Sequence, residues 1–170
     1  MKVGTKQQIV DHWRTRQNED ELSVEWEDAL EHCWRCGHES NLEKCHIVPK
    51  SLGGSDDVSN LVLLCNRCHK EAPNVQDHRF MWIWLKAHAV ELYNSYWYVL
   101  GIKEYRKMFN REPMMSMTYI SSKETYDAFA KSFSKAVKHY GEGRLNASTI
   151  ACIMFLAEEG LNKQKKGQLV

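Results

Sequence analysis

Apolar positions in the first thirty residues recur at helical spacing. Ile9, Val10 and Trp13 would share one face of a short helix. Ser23 is a suitable N-cap for a second short helix over residues 24–32, because its hydroxyl can accept a hydrogen bond from the first turn. The pattern therefore predicts two short helices at the start of the chain.

The pattern changes in the middle of the chain. Two short apolar runs, at 45–48 and 61–64, have the length and composition of β-strands. The residues between them, 49–57, are rich in Gly, Ser and Asp, and this composition is typical of a loop. We therefore expect two strands joined by a long loop.

Helical spacing returns in the second half of the chain. Apolar side chains recur every three or four residues over 82–99, so the pattern predicts one continuous helix with Gly101 just beyond its C-terminal end. Two further helices are predicted over 125–140 and 147–161.

The overall composition excludes several classes of protein. The chain has 170 residues, of which 43% are hydrophobic and 26% are charged, as in ordinary globular proteins and unlike disordered chains. No uncharged apolar run is long enough to cross a membrane, and no apolar stretch follows the N-terminal lysines as it would in a signal peptide. We therefore expect a cytoplasmic protein without a membrane partner, whose six cysteines are thiols or metal ligands.

Charge is unevenly distributed along the chain. Of the 22 acidic side chains, seven lie in residues 17–32, which contain no Lys or Arg. The remainder of the chain carries 15 acidic and 23 basic side chains. This excess is compatible with a nucleic-acid partner, although an ordinary solvated surface is the simpler explanation.

The cysteine spacing makes the strongest chemical prediction. Two C-x-x-C pairs, which we call the knuckles, are separated by 28 residues and consist of Cys33, Cys36, Cys65 and Cys68. One such pair could be a redox centre, but two of them complete the four-thiolate tetrahedron of a structural zinc ion. Because the protein would fill every coordination position, we expect this Zn²⁺ to hold the fold and to take no part in chemistry.

Three polar residues lie between the knuckles or directly after the second one. His46 belongs to the first apolar run, Asn60 directly precedes the second, and His69 follows the second knuckle. In this order, and with these neighbours, they resemble the HNH (His-Me finger) endonucleases, in the subgroup that embeds a four-cysteine zinc site in the ββα-metal motif. The resemblance covers residues 33–74, about a quarter of the chain.

The resemblance implies a function and a role for each residue. The chain would be a metal-dependent endonuclease that hydrolyses DNA in the cytoplasm of a bacterial or phage-infected cell. His46 would be the general base that takes a proton from water, and Asn60 would orient the strand that carries it. His69 would ligate a single catalytic divalent cation, such as Mg²⁺ or Mn²⁺.

One position departs from the family pattern. Many members carry an Asp ligand directly before the general-base histidine, and in this chain that position is Cys45. A thiolate is a soft ligand that suits Mg²⁺ poorly. Cys45 is therefore either a ligand of the catalytic cation or a small packed residue that points away from it. The remaining positions of the cation could be filled by water, by DNA phosphate or by a nearby side chain such as Glu71 or Asn74.

Basic side chains near the motif are candidates for contact with the DNA backbone. They are Lys44, Lys50, Arg67 and Lys70. The simpler interpretation for at least half of them is an ordinary solvated surface.

Two other functions are compatible with the same sequence. The chain could be a zinc-stabilised nucleic-acid-binding module without cleavage activity, or a purely structural zinc protein. If it does cleave, a single motif has one site, so a double-strand cut would require a homodimer or two successive nicks.

The predicted fold class is α+β, with a zinc-bound ββα-metal unit embedded in a mostly helical small protein. The sequence predicts three segments. These are an N-terminal helical segment (1–32), the nuclease motif with its zinc site (33–75) and a C-terminal helical region (76–170).

Overall fold

The computed structural model describes residues 4–114, 123–140 and 145–167. The described chain combines helices with a small two-stranded sheet, which confirms the α+β prediction. It divides into two compact units, Met1–Tyr96 and Trp97–Val170. The first unit contains the predicted N-terminal segment and the nuclease motif, together with part of the region that follows.

Helices and strands follow one another along the described ranges in a simple order. They are α1 (Lys6–Arg14), β1 (Glu43–His46), β2 (Leu61–Leu64), α2 (Asn66–Glu71), α3 (Arg79–Ala87), α4 (Tyr96–Phe109), α5 (Lys123–Tyr140) and α6 (Ala147–Gly167). Single 3-10 turns occupy Glu19–Glu21, Lys50–Leu52 and Val58–Asn60. No helix in the described ranges is long and apolar enough to cross a membrane.

Helix α1 confirms the first predicted helix. Thr5 caps it in a reciprocal capping box with Gln8, which satisfies donors that the first turn leaves free. The predicted apolar stripe is buried, and the indole of Trp13 donates a hydrogen bond of 2.8 Å to the carbonyl oxygen of Leu61 in β2. This bond fixes α1 against the strand that precedes the second knuckle.

The second predicted helix, over residues 24–32, is wrong. The chain forms successive turns there. Ser23 does not act as a cap, because its buried hydroxyl donates to the carbonyl oxygen of Arg35 at 2.6 Å and accepts from the amide of Val90 at 3.1 Å. Tertiary contacts therefore occupy the group that would have started the helix.

Strands β1 and β2 pair antiparallel, with His46 opposite Leu61. The prediction for 61–64 is confirmed, and all four residues of β2 are buried. The first strand lies two residues earlier than predicted. Val48 leaves the ladder because the side-chain oxygen of Asn60 accepts its amide at 2.9 Å, and the carbonyl oxygen of Asn60 accepts the amide of Ile47 at the same distance.

The single helix predicted over 82–99 is also wrong. Helix α3 ends at Ala87 and α4 begins at Tyr96. Between them Asn94 has a φ of +63°, a left-handed conformation that a continuous helix does not contain. The apolar spacing persists across the break because both helices bury a face, and spacing alone does not reveal the interruption.

The second unit consists of α4, α5 and α6. Its core is formed by Ile102, Tyr105, Leu145, Ile150, Ala151, Ile153 and Met154. Gly101, predicted to end a helix, lies inside α4. A Cβ atom there would lie 2.4 Å from Cγ2 of Ile150, so glycine lets α4 approach α6 closely. The predicted helices 125–140 and 147–161 are confirmed as α5 and α6, each somewhat longer than predicted.

Candidate nuclease and metal site

The two knuckles meet in the first unit. Their four sulfur atoms all lie within 4.8 Å of one another, and the contributing side chains are buried: Cys33, Cys36, Cys65 and Cys68. Zinc–sulfur bonds of about 2.3 Å at tetrahedral angles require sulfur–sulfur separations of about 3.8 Å. The observed separation between the sulfurs of Cys36 and Cys65 is 4.0 Å. The cluster is therefore compatible with a bound zinc ion.

The second knuckle also begins helix α2. Cys65 is its N-cap, and its sulfur accepts the amide of Cys68 at 3.4 Å. His69 comes next, and its amide donates to the carbonyl oxygen of Cys65 at 2.9 Å. The same short turn thus holds two cysteines of the cluster and the histidine predicted as a cation ligand.

Arg35, inside the first knuckle, is a buried cation. Its guanidinium stacks over the rings of Trp84 and Tyr96, at 4.2 and 5.1 Å from their centroids. One of its nitrogens lies 2.6 Å from a carboxylate oxygen of Glu71 at the end of α2. The contact ties the first knuckle to α2. It also engages one of the two side chains that the sequence offered as a replacement for the missing Asp.

His46 and His69 line the same cleft, which has a volume of about 410 Å³. Asn74, the other suggested replacement, lines it too. The remaining charged and amide side chains of the wall are Glu43, Lys50, Asn66 and Lys70. The structure therefore brings the two predicted catalytic histidines together, although 22 residues separate them in the chain.

His46, at the end of β1, is held by a carboxylate from the loop. Its Nε2 atom lies 2.9 Å from Oδ1 of Asp56, and the other oxygen of Asp56 lies 2.6 Å from the ammonium of Lys50. Hydrogen bonds from Lys50 and then from His46 lower the pKa of Asp56. An ionised carboxylate only accepts hydrogen bonds, so in a neutral imidazole Nε2 would carry the proton and Nδ1 the lone pair.

Asn60 joins the loop to the end of β1. Its amide oxygen accepts from the amide of Val48, and its nitrogen donates to the carbonyl oxygens of Val48 and Ser55, each at 2.9 Å. Gly54 permits this closure, because a Cβ atom there would lie 1.7 Å from the carbonyl oxygen of Val48. These contacts fix the chain two residues beyond His46.

His69 is also held by a carboxylate. Its Nδ1 atom lies 2.7 Å from Oε2 of Glu43, while Oε1 of Glu43 accepts a hydrogen bond of 2.9 Å from the side-chain amide of Asn66. The bond from Asn66, followed by that from His69, lowers the pKa of Glu43. Two histidine–carboxylate pairs therefore border the cleft.

Glu43 and Asp56 are not among the site residues predicted from the sequence. Glu43 precedes Cys45 by two residues, and residues two apart in a strand share a face, so strand alternation was a usable signal. For Asp56, no sequence pattern of this kind indicated a place in the site. It lies in a loop whose path depends on the contacts of Asn60.

Cys45 is buried, with 2% of its surface exposed. Burial raises the pKa of its thiol to about 12, and the sulfur lies 3.7 Å from the carbonyl oxygen of His46. Cys45 nevertheless lines the same cleft as His46 and His69, so it does not point away from the site, and its role as a cation ligand or as a packed residue stays a prediction.

The four predicted DNA contacts differ in position. Lys50 and Lys70 line the cleft. Lys44 and Arg67 lie outside it and are half-buried, and burial is the largest cause of the lowered pKa of Arg67. Two of the four predicted basic side chains therefore line the cleft with the histidines, and two do not.

A comparison with protein families matches residues 33–82 to the family described as HNH endonuclease. The match covers the knuckles, both strands, α2 and the start of α3. Residues 33–82 therefore form an HNH endonuclease domain, and the resemblance drawn from His46, Asn60 and His69 is confirmed at the level of the family.

Two curated proteins are similar to part of the chain. The "Probable mobile endonuclease C" of Enterobacteria phage T4 is 33% identical over 69 residues, which are 41% of this chain and 29% of that protein. "Anaredoxin" of Nostoc sp. is 36% identical over 52 residues, which are 28% of this chain and 66% of that protein. The chain thus spans less than two thirds of the length of either relative. No solved structure matches the chain.

Proposed function

We propose, from the presence of an HNH endonuclease domain at residues 33–82, that this protein is a metal-dependent endonuclease that hydrolyses phosphodiester bonds of DNA. The observation that carries the proposal is the shared cleft, in which His46 and His69 each have one ring nitrogen bonded to a carboxylate. Each histidine therefore keeps a second nitrogen for chemistry. The setting we propose is the cytoplasm of a bacterial or phage-infected cell.

His46 acts as the general base in this proposal. Its Nδ1 atom accepts a proton from the attacking water, because Nε2 is engaged by Asp56. Asp56 holds the ring in place and stabilises the imidazolium that forms. Asn60 acts only on the backbone around Val48, so its role is to orient the end of β1.

His69 is the side chain that would hold the catalytic cation. Its half-exposed ring suits this role, since 37% of the side chain is accessible. Mg²⁺, Mn²⁺ or another divalent cation bound there would neutralise the charge that develops on the scissile phosphate. Cys45 is not a ligand in this proposal, because its side chain is buried.

The four-cysteine cluster would hold a structural zinc ion. Its four thiolates leave no open position for substrate, and burial removes it from the cleft. Because Cys68 directly precedes His69, the zinc ion would fix the start of α2 and with it the cation ligand.

DNA would approach over Lys50 and Lys70. Both side chains lie at the cleft and would contact phosphates on either side of the cut. Lys44 and Arg67 would act further along the backbone. A single cleft within the described HNH domain favours one nick in each binding event, so a double-strand cut would require a homodimer or a second event.

Nicking of supercoiled plasmid by the zinc-loaded protein in Mn²⁺ or Mg²⁺ tests the proposal. His46→Ala should lower the nicking rate by roughly 10²–10⁴-fold, which is the usual contribution of a general base. Asp56→Asn should lower it less. The matched control is His78→Ala, because His78 lies outside the cleft. DNA binding and folding should survive in all three variants.

Two results would contradict the proposal. A His46→Ala variant that nicks at the wild-type rate would require a different base. A wild-type protein that shifts DNA in a gel but does not cleave it, whichever divalent cation is added, would instead be a zinc-stabilised nucleic-acid-binding module.

A further inference from the structure

Glu43 occupies a central position in the cleft. It begins β1, and 41% of its side chain is exposed. Its two carboxylate oxygens bind two side chains of α2: Asn66 at 2.9 Å and His69 at 2.7 Å. Residues three apart lie on the same face of a helix, so a single carboxylate spans one turn of α2. The contact joins the first strand to the helix that carries the cation ligand.

The chemistry of this contact determines which nitrogen of His69 is protonated. A carboxylate is an acceptor only, so the proton shared by Glu43 and neutral His69 belongs to Nδ1. The Nε2 atom then has a free lone pair and can bind a cation. Free neutral histidine in water favours the opposite tautomer, with the proton on Nε2. The contact with Glu43 therefore has a measurable consequence.

We propose that Glu43 is a positioning residue that holds His69 in its Nδ1–H tautomer and aims Nε2 at the catalytic cation, so that the cleft works without an Asp at position 45. This inference rests on the proposed function, because it takes His69 as the cation ligand. A carboxylate behind a ligating histidine also raises the basicity of the ligand, and loss of such a partner typically weakens metal affinity by about 10–100-fold.

The position of Cys45 supports this division of roles. It lines the cleft and shares a strand face with Glu43, but its short side chain is only 2% exposed, whereas both carboxylate oxygens of Glu43 are bound to side chains at the cleft. The longer side chain of Glu43 thus brings a carboxylate to the site, two residues before the position where the family carries Asp. It does so through His69 and does not need to contact the cation.

The first test is spectroscopic and needs no catalytic cation. Zinc-loaded full-length protein, labelled with ¹⁵N-histidine, is studied at pH 8, and His69 is assigned with His69→Gln. The ¹⁵N shifts and long-range ¹H–¹⁵N couplings should identify the Nδ1–H tautomer in the wild type. In Glu43→Ala they should shift toward the Nε2–H tautomer. The control is Glu39→Gln, because Glu39 is exposed outside the cleft. An Nε2–H tautomer in the wild type would overturn the proposal.

The second test measures Mn²⁺ binding to the zinc-loaded protein by electron paramagnetic resonance. Glu43→Ala should weaken binding by about 10–100-fold. Glu43→Gln should recover part of the affinity, because an amide oxygen can still accept the Nδ1 proton. If Glu43→Gln is as weak as Glu43→Ala, Glu43 is a direct ligand and the positioning role is wrong.

The two hypotheses fail in different ways. If His69→Gln binds Mn²⁺ as tightly as the wild type, the cation does not bind at His69 and that part of the proposed function fails, whatever the tautomer. If His69→Gln abolishes binding while Glu43→Ala leaves both tautomer and affinity unchanged, only the inference about Glu43 fails. Near-ultraviolet circular dichroism confirms that each variant is folded, and Glu43→Gln keeps the inference testable if Glu43→Ala does not fold.

Discussion

Glu43 in the first unit and Glu158 in the second are both carboxylates bound to several donors, but their surroundings differ. Glu158 is 1% exposed and accepts hydrogen bonds from the hydroxyl of Tyr105 and the amide of Met114, each at 2.6 Å, while Arg111 pairs with it at 2.7 Å. Glu43 is 41% exposed and binds Nδ1 of a histidine whose Nε2 atom has no hydrogen-bond partner within the described ranges.

The difference separates a carboxylate buried in a helical core from one at the wall of an open cleft. Three donors satisfy Glu158 inside the helical unit, so its contacts can only stabilise the fold. Glu43 contacts His69, which borders an open cleft, and in the role proposed above it would act through that histidine. The number of bonds that a carboxylate makes therefore says little about its role. What matters is whether a bonded partner retains a free coordinating atom in contact with solvent.

The largest loss of stability should follow from a mutation in the cysteine cluster of the first unit. Cys65→Ser should lose the zinc ion, and the HNH domain should unfold, because structural zinc sites contribute roughly 10–16 kcal/mol of binding energy to folding. The measurements are elemental analysis, which should find one zinc ion per wild-type chain, and thermal unfolding.

The matched control for this prediction is Cys152→Ser. Cys152 is an exposed cysteine in α6 of the second unit and is not one of the four clustered cysteines. It should retain zinc and wild-type stability. Wild-type stability in Cys65→Ser, or purified wild-type protein without zinc, would contradict the prediction.

An intermediate effect is expected at the polar centre of the second unit. Glu158→Ala removes hydrogen bonds to a charged acceptor and should lower the free energy of unfolding by about 2–3 kcal/mol. Glu159→Ala is the control, because the neighbouring Glu159 is exposed. Denaturant unfolding measures the stability, and the nicking rate per folded molecule should not change. A large loss of nicking in folded Glu158→Ala would give this carboxylate a functional role and remove the contrast with Glu43.

The smallest effect is expected at Cys45. If Cys45 only packs against its neighbours, Cys45→Ala should cost about 1 kcal/mol of stability and should leave Mn²⁺ affinity and nicking rate within about twofold of the wild type. Cys45→Asp should be worse, because it buries a carboxylate. A metal titration of the nicking rate compares the two variants. If Cys45→Ala is as inactive as His69→Gln, the thiol is a ligand after all.

Several elements could be predicted from the sequence because their signals are local. The apolar stripe of α1, the β2 run and the two C-x-x-C pairs each depend on residues a few positions apart. Helix 24–32 failed because the hydroxyl of Ser23 is bonded to Arg35 and Val90, which are distant in sequence. The helix 82–99 failed because one left-handed residue, Asn94, interrupts a spacing that otherwise continues.

The sequence by itself determined the family of the motif and the residues that carry it. The two knuckles, together with His46, Asn60 and His69 in that order, identify the HNH motif, because ligand and catalytic residue types at these spacings have few other uses. The sequence also located the departure from the family pattern at Cys45.

Only the tertiary structure decided which side chains contact the histidines and which are buried. It buried Arg35 and Cys45 and brought Glu43 and Asp56 to the two rings. The physical reason is that the contacts of a side chain depend on where a loop closes and which strand face it occupies. The Asn60 contacts set where the loop closes, and the β1–β2 register sets which side chains face the cleft. Both form only when the chain has folded.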